Sequence, residues 1–413
     1  MVQQNSTTPT TTPKSAPLVA LARYLLAQKY TYTTITPESH KIVLDRRDEK
    51  LKNVDLGDVK VTLRDVFGLN VWFTRKCLDL GQDEEGRVLG WLEEAGVLER
   101  RKDANGSEVI RSGVRFSTIG TSLYMHSSFP TAFNDSVFLG PDTYRYVDLI
   151  RSFVQRLAST PNAIKIKTAI DIGAGSGVGG MELARFCGEY GVEVERVVLG
   201  DINEKALEWS LVNAQVAGYV PVDEEANAKN GATTTNGTLN GNGGATHSNG
   251  TNGTNGTETN GTSDKPHFPP TTLIQPTTPT THLHLAYSSY LSTLPSHTPL
   301  SLILSNPPYM SSTTHLYSDG GHSSGLGMSL SIIDAAVERL LPGGHLVLYT
   351  GVAILDGGRD PLKEYVTGYV EKGRVECVEY REMEVDIWGH ELREEGYRDV
   401  ERMCAVGCVL RKV

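Results

Sequence analysis

The residues best placed to do chemistry form a short motif, Ser305-Asn306-Pro307-Pro308-Tyr309. The apolar run Leu302-Ile303-Leu304 before it predicts a buried strand. Two successive prolines fix the backbone beyond that strand and remove two hydrogen-bond donors. The Asn306 side-chain oxygen and the nearby carbonyls are then free to accept hydrogen bonds, and Tyr309 supplies a flat aromatic face. Such acceptors suit a planar NH2 group, although the motif alone is equally typical of a strand followed by a proline turn.

A glycine-rich segment upstream predicts a turn that binds a nucleotide. Ala169 to Ile172 forms a predicted strand, the glycines follow at 173, 175 and 177, and a helix is predicted over Val178 to Tyr190. Glycines at alternate positions let the backbone turn sharply and approach a ligand closely. Asp201 ends the next predicted strand, about twenty residues past the glycines, where a carboxylate can accept both hydroxyls of a ribose. A nicotinamide-cofactor domain shows the same two features, and the Asn306 motif separates the two interpretations.

These residues together resemble the class I S-adenosylmethionine-dependent methyltransferases, over most of Val137 to Val413. The likeness is strongest to the branch that methylates planar nitrogens, which holds the release-factor glutamine methyltransferases of the PrmC/HemK type and the related small-domain RNA methyltransferases. The segment Phe138-Leu139-Gly140-Pro141-Asp142-Thr143 is similar to the Pro-Arg-Pro-Glu-Thr segment that precedes the domain in the glutamine branch. Gly140 stands where that family has Arg, and Leu139 where it has Pro.

The resemblance implies a fold, a cofactor and a set of site residues. The fold is α/β, a Rossmann-like domain with a seven-stranded, mostly parallel sheet, and the cofactor is S-adenosylmethionine. The glycines pass under its methionine part, Asp171 orients the turn and the cofactor's amino end, Asp201 holds the ribose and Tyr290 flanks the adenine. Asn306 and the Pro307 carbonyl take the hydrogens of the target NH2, on which Tyr309 stacks, and no metal is needed. The implied catalytic residues are Asn306, Pro307, Pro308 and Tyr309, and the implied cofactor-binding residues are Asp171, Gly173, Ala174, Gly175, Ser176, Gly177, Asp201, Ile202, Ser289, Tyr290 and Asn306.

One site position departs from the pattern of the resembling family. That family usually has Ser-Asp-aromatic where this chain has Ser288-Ser289-Tyr290. The Ser289 hydroxyl accepts a hydrogen bond more weakly than a carboxylate, so a lower cofactor affinity is expected. The departure also supports an alternative, a non-catalytic scaffold that binds the cofactor, which the intact Asn306 motif opposes.

Length and composition limit the classes of protein. A chain of 413 residues is too long for one ordinary core and predicts two domains plus an insertion. The formal net charge of −10 argues mildly against broad binding of nucleic acid. Five scattered cysteines without a Cys-x-x-Cys pair indicate reduced thiols rather than disulfides or zinc. Without a long apolar run or a secretory signal, the chain is predicted to be cytoplasmic and not membrane-bound, with mitochondrial or nuclear locations as alternatives.

Composition divides the chain into five predicted parts. These are a disordered tail (1–15), a helical, winged-helix-like domain for substrate recognition (16–125), a connecting segment and helix (126–160), the methyltransferase domain (161–413) and, within it, a disordered Asn/Gly/Thr-rich insertion (222–270). In the N-terminal domain, Ala16 to Lys29 and Asp83 to Ala95 are predicted helices, with short helical pieces over Val61 to Val66 and Asn70 to Leu80. Asp103 to Gly106 predicts a hairpin turn.

The predicted function is methyl transfer to a planar NH2 nitrogen, with two substrates open. A protein glutamine is favoured by the likeness at Phe138 to Asp148 and by the acidic balance. An RNA base, adenine at N6 or guanine at N2, is favoured by Arg100 and Arg101 near the predicted wing. Acidic residues interleave there, so a solvated hairpin with ordinary surface charge is the preferred interpretation of the wing. A partner subunit and the oligomeric state are left open.

Overall fold

A computed structural model of the chain describes residues 15–52, 54, 59–103, 105–131, 133–160, 165–222, 268, 270–275, 281–292, 294–311, 319–322 and 324–413. The predicted tail over residues 1–15 and the predicted insertion over residues 222–270 lie outside these ranges, apart from Ser15, Val222, Phe268 and Pro270. The disorder predicted for both segments stays a prediction.

Three helices begin the N-terminal region. Helix α1 spans Ser15–Ala27, helix α2 Pro37–Leu51 and helix α3 Gln82–Glu94. Helices α1 and α3 lie close to their predicted boundaries. No sequence pattern predicts α2, because His40 is its one buried residue and the helix therefore lacks an apolar stripe. Its signal lies at its start, where the Thr36 hydroxyl oxygen accepts the amide hydrogen of Ser39 at 3.2 Å and Pro37 follows.

The short helix predicted over Val61 to Val66 is present in part, because residues 63–66 are helical. The break predicted at Phe67-Gly68 and the helix predicted over Asn70 to Leu80 are wrong. A single π-helical turn, Asp65–Leu69, runs through the predicted break, and the only helix in the second segment is a 3-10 turn, Arg75–Cys77. Gly68 serves close packing rather than a break, since a Cβ there would lie 2.3 Å from Tyr32 Cδ2.

Two antiparallel hairpins complete the N-terminal region. Strands β1 (Leu98–Lys102) and β2 (Glu108–Ser112) form the hairpin predicted around Asp103 to Gly106. The next segment forms strand β3 (Val114–Ile119), which pairs with strand β4 (Ser122–Ser127) and not with β1. Gly113 allows this change of partner because a Cβ there would lie 2.8 Å from the Val97 carbonyl oxygen. The winged-helix classification stays a prediction.

The C-terminal region is built on one nine-stranded sheet. Its strands are β5 (Ile166–Ile172), β6 (Val194–Asp201), β7 (Val220–Pro221), β8 (Thr271–Ile274), β9 (His282–Tyr287), β10 (Leu300–Ser305), β11 (Leu340–Leu355), β12 (Val375–Glu384) and β13 (Val400–Lys412). Their order is β12-β13-β11-β10-β5-β6-β9-β8-β7. Strands β9, β6, β5, β10 and β11 are parallel, and β13 runs antiparallel between β11 and β12. The predicted Rossmann-like α/β sheet is confirmed, and the antiparallel strands β13 and β12 end it at one edge. Over the ranges that the structure describes, the sheet has nine strands instead of the predicted seven, because the short antiparallel strands β7 and β8 extend the edge beside β9.

Helices cover both faces of this sheet. They are α4 (Pro141–Ala158), α5 (Val178–Tyr190), α6 (Glu204–Val216), α7 (Gly327–Arg339) and α8 (Pro361–Glu371). Successive residues of β5 point to opposite faces, so Ala169 packs in the cluster that contains α4 and α5, and Ile170 in the cluster that contains α7 and α8. Helix α6 joins two cores, because Leu207 packs under the sheet and Trp209 packs with the N-terminal helices.

Among the described residues, no helix is both long and apolar enough to cross a membrane. The predicted compartment stays a prediction.

Candidate functional site

The predicted site residues follow the carboxyl ends of neighbouring parallel strands. Ser305 at the end of β10 pairs with Ile172 at the end of β5, and its hydroxyl donates to the Ile172 carbonyl oxygen at 2.8 Å. Gly173 follows Ile172 and Asn306 follows Ser305, so the glycine turn and the Asn306 motif begin side by side. Open α/β sheets bind ligands in the crevice outside such strand ends.

The backbone angles of this turn explain why glycines stand at alternate positions. Gly173, Gly175 and Gly177 have φ angles of +69°, +56° and +79°, in the left-handed region where other residues are strained. A Cβ at Gly173 or Gly175 would meet no heavy atom of the described residues within 4 Å, whereas one at Gly177 would lie 2.7 Å from Met181 Cε. The first two glycines therefore leave open space beside the backbone, and the third serves packing under helix α5.

Asp171 lies beneath this turn. Its Oδ1 accepts the Tyr146 hydroxyl hydrogen at 3.0 Å, and its Oδ2 accepts the Gly180 amide hydrogen at 2.8 Å. Burial raises the pKa of the Asp171 carboxyl to about 7, and the two hydrogen bonds oppose that rise. Oδ2 thus holds the start of helix α5, and Oδ1 joins the same carboxyl to helix α4. Its contact with the cofactor's amino end stays a prediction.

Asp201 closes the other side of the turn. Its Oδ2 accepts the Gly175 amide hydrogen and its Oδ1 the Asn203 amide hydrogen, each at 2.8 Å. Burial raises the pKa of Asp201, against the effect of these backbone donors. A carboxylate has about four acceptor positions, so Asp201 keeps acceptor capacity that a ribose hydroxyl can fill. The neighbouring Ile202 side chain is 60% exposed and offers apolar surface to a flat ring.

The serine pair after strand β9 has divided roles. Ser288 is buried, its amide donates to the Asp201 carbonyl oxygen at 2.9 Å, and its hydroxyl donates to the Tyr290 carbonyl oxygen at 3.0 Å. Ser289 is exposed, and no partner for its hydroxyl is found in the part of the chain that the structure describes. Tyr290 is half-buried with a φ of +52°. The turn therefore leaves the Ser289 hydroxyl available to a ligand.

Asn306 and Tyr309 have opposite environments. The Asn306 amide is half-buried, and no hydrogen-bond partner for it is found among the described residues. Tyr309 is buried, and its hydroxyl donates to Asp142 Oδ2 at 2.7 Å. The Tyr309 hydroxyl oxygen in turn accepts from Trp388 Nε1 at 3.0 Å. Burial, followed by the Asp142 charge, raises the pKa of Tyr309 well above its ordinary value. Asn306 is free to bind a ligand, whereas Tyr309 is committed to packing, and its predicted stacking on a target stays a prediction.

Helix α4 supplies residues that the motifs alone do not identify. Asp142 also accepts the Tyr349 hydroxyl hydrogen on Oδ1 at 2.7 Å, so one carboxylate holds two buried tyrosines. Tyr146, one helical turn further on, holds Asp171. One face of α4 therefore braces both the glycine turn and the Asn306 motif. The sequence signal for this brace is the segment Phe138 to Thr143, which contains Asp142.

The shape and polarity of the site fit S-adenosylmethionine. Open space beside Gly173 and Gly175, spare acceptor capacity on Asp201 and the exposed Ile202 side chain match an extended molecule with a ribose and a flat ring. Within the described ranges, no group of three or more His, Cys, Asp or Glu side chains is arranged to hold a metal ion.

Comparisons with known proteins find structural likeness only. No family model matches the chain, and no curated protein matches it. Solved structures with a similar fold include M. jannaschii TYW2 in complex with AdoMet (10% identity, 74% of this chain and 91% of that chain, TM-score 0.36). They also include the ribosomal protein L11 methylase from Lactobacillus delbrueckii subsp. bulgaricus (11% identity, 67% and 86%, TM-score 0.33) and Trm5b from Pyrococcus abyssi (10% identity, 76% and 62%, TM-score 0.35). Likeness at this level carries no argument about activity or substrate.

Proposed function

We propose that the chain is an enzyme, an S-adenosylmethionine-dependent N-methyltransferase that acts on a planar NH2 group. The observation that carries this proposal is the juxtaposition of two features at adjacent strand ends. One is a glycine turn with open space beside Gly173 and Gly175, and the other is the Asn306 amide, for which the described residues offer no hydrogen-bond partner.

Each end of the proposed cofactor has a counterpart in the crevice. Asp201 accepts from the ribose hydroxyls, Ile202 and Tyr290 lie against the adenine, and the Ser289 hydroxyl is available to its amino group. The turn from Gly173 to Gly177 passes beneath the methionine part. The bound cofactor supplies a methyl group that its sulfonium already activates.

The protein's task in the reaction is positioning. The Asn306 oxygen and the Pro307 carbonyl accept the two N–H hydrogens of the target, which leaves the nitrogen lone pair directed at the methyl carbon. The bound cofactor would supply its methyl group to this lone pair, and the electron pair of the broken C–S bond would stay on its sulfur. One N–H proton is released to water. Helix α4 keeps both halves of this arrangement fixed through Asp142 and Tyr146.

An Asn306→Ala variant tests the proposed role of the amide. Turnover should fall at least about a hundredfold, because an interaction made with the reacting group is lost. S-adenosylmethionine affinity, measured by calorimetry, should change by less than about threefold. Equal losses in turnover and affinity would contradict the assignment. Cofactor binding without methyl transfer to any pool by the wild-type protein would favour the scaffold alternative, which the Ser289 departure supports.

A protein glutamine is the first substrate to test. The formal net charge is −10, and the exposed Arg100 guanidinium is paired with Glu93 at 2.6 Å, which reduces the positive charge of the first hairpin. Tritiated S-adenosylmethionine is offered to separate protein and RNA pools. Label in a glutamine side chain is expected, and label in RNA alone would contradict this choice.

An RNA base is the second candidate substrate, and one observation favours it. Arg101 and Arg111 lie over the Trp72 ring, with distances from Cζ to the ring centroid of 4.1 and 4.6 Å. Basic and aromatic side chains together are typical of single-stranded RNA contacts. If RNA is the substrate, binding weakens steeply with salt and Arg101→Glu reduces activity. Lys372→Glu, an exposed lysine at the end of helix α8, is the control with the same change of charge.

A further inference from the structure

A buried asparagine on helix α6 links the N-terminal region to the glycine turn. Asn213 is 2% exposed, and its Oδ1 accepts the Met125 amide hydrogen at 2.8 Å. Its Nδ2 donates to the Met125 carbonyl oxygen at 3.2 Å and to the Ser176 carbonyl oxygen at 2.9 Å. One side-chain amide therefore binds the backbone of strand β4 and the backbone of the turn at once.

The Ser176 carbonyl lies at the most constrained part of the turn. It falls between Gly175 and Gly177, whose φ angles are both positive. The preceding carbonyl, that of Gly175, accepts from the Ser210 hydroxyl at 2.9 Å. Ser210 and Asn213 are three residues apart and share one face of helix α6, so that face fixes two successive peptide groups of the turn. Strand β4 in turn fixes Asn213.

The same strand makes a second buried contact that does not involve the turn. The Tyr124 hydroxyl donates to Glu182 Oε1 at 2.7 Å, and Glu182 lies on helix α5 past the glycines. Both side chains are buried. Tyr124 and Asn213 therefore hold the same hairpin against the same domain, but only Asn213 touches the glycine turn.

We propose that Asn213 is a positioning residue through which the β3–β4 hairpin sets the conformation of the glycine turn. This inference rests on the proposed function, because it takes the turn as the cofactor site. Cofactor affinity then depends on how the N-terminal region is docked. By reciprocity, a substrate that shifts the hairpin changes the affinity for S-adenosylmethionine, and the cofactor changes the affinity for that substrate.

Calorimetric titration with S-adenosylmethionine tests the proposal on two matched variants. Asn213→Leu keeps the branched shape of the side chain and removes all three hydrogen bonds, so affinity should fall at least about tenfold. Tyr124→Phe removes one hydrogen bond of the same hairpin but leaves the three Asn213 hydrogen bonds in place, so affinity should stay within about twofold of wild type. Equal effects of the two variants, or unchanged affinity in Asn213→Leu, would overturn the proposal.

A milder variant and a cofactor-free measurement keep the test decisive. If Asn213→Leu does not fold, Asn213→Ala removes the same three hydrogen bonds without added bulk or charge, so the same tenfold loss is expected. Hydrogen exchange of the peptide over residues 171–181, without cofactor, should become faster in the Asn213 variants and stay unchanged in Tyr124→Phe. Faster exchange together with no binding by wild type would refute the proposed function alone, whereas unchanged exchange would refute the role of Asn213.

Discussion

The double hydrogen bond to Asp142 allows a quantitative prediction about the support of the Asn306 motif. Asp142→Ala removes the acceptor that the buried hydroxyls of Tyr309 and Tyr349 share, each at 2.7 Å. A buried donor left without a partner costs about 1–3 kcal/mol. The free energy of unfolding should therefore fall by about 2–6 kcal/mol.

A double-mutant cycle separates this effect from general damage to the core. Tyr309→Phe alone leaves Asp142 Oδ2 and Trp388 Nε1 without their partner. Trp388 loses its acceptor in both backgrounds, so that cost cancels in the cycle. In the Asp142→Ala background, Tyr309→Phe removes a hydroxyl that is already unsatisfied. The double variant should thus be more stable than the sum of the single changes by about 1–3 kcal/mol.

Urea denaturation followed by circular dichroism measures all four proteins of the cycle. Tyr365→Phe is the control, because the Tyr365 hydroxyl donates at 2.6 Å to a different carboxylate, Asp334. Its effect should add to that of Asp142→Ala within about 0.5 kcal/mol. If the losses of unfolding free energy in Tyr309→Phe and Asp142→Ala also add within that limit, the Asp142 carboxylate does not stabilise Tyr309 and the reasoning is refuted.

Three further predictions follow from single residues. Burial raises the pKa of Asp171 from 3.8 to about 7, so its contribution to stability is complete below pH 3.8 and is lost as the pH rises to 7. In urea titrations, the unfolding free energy of wild type relative to Asp171→Asn should therefore fall between about pH 4 and pH 7. Burial lowers the pKa of His40 from 6.5 to about 4, so its contribution to stability is complete above pH 6.5 and is lost as the pH falls toward 4. His40→Gln should therefore flatten the acid side of the plot of unfolding free energy against pH. A plot that is the same as that of wild type would contradict the lowered pKa. Gly173→Ala places a methyl group in the open space at a φ of +69°, so calorimetric affinity for S-adenosylmethionine should fall at least about tenfold, while Gly188→Ala on the exposed face of helix α5 should leave affinity unchanged.

The sequence predicts best where local signals agree. Strand β5, the glycine turn and helix α5 each have their own signal in an apolar run, alternate glycines and a helical apolar period. The predicted helix over Val178 to Tyr190 therefore has the bounds that the structure shows. The adjacency of Asn306 and Gly173 follows in the same way, because parallel strands end at one edge of the sheet.

Contacts between distant segments were beyond sequence reasoning. Asp142 and Tyr309 are 167 positions apart, and Asn213 and Met125 are 88 apart. No period or propensity signals such a pair, because tertiary packing alone brings the two segments together. The burial of the Tyr309 ring is of the same kind, since it depends on Gly351, where a Cβ would lie 2.2 Å from Tyr309 Cδ2.

Helix α2 and strands β7 and β8 were not predicted because their sequences show no periodic apolar pattern. Helix α2 buries only His40, so its sequence shows none of the periodicity that identifies α1. Strands β7 and β8 are two and four residues long, too short for an alternating pattern to be recognised.

The most direct test of the central claim is calorimetric titration of the purified chain with S-adenosylmethionine. Wild type is compared with Asp201→Ala and with a control, Asp148→Ala. The Asp148 carboxylate of the wild-type chain lies on the exposed face of helix α4. The account predicts micromolar binding by wild type and Asp148→Ala, and loss of binding in Asp201→Ala. Absence of binding by the wild-type chain, or equal binding by all three proteins, would contradict it.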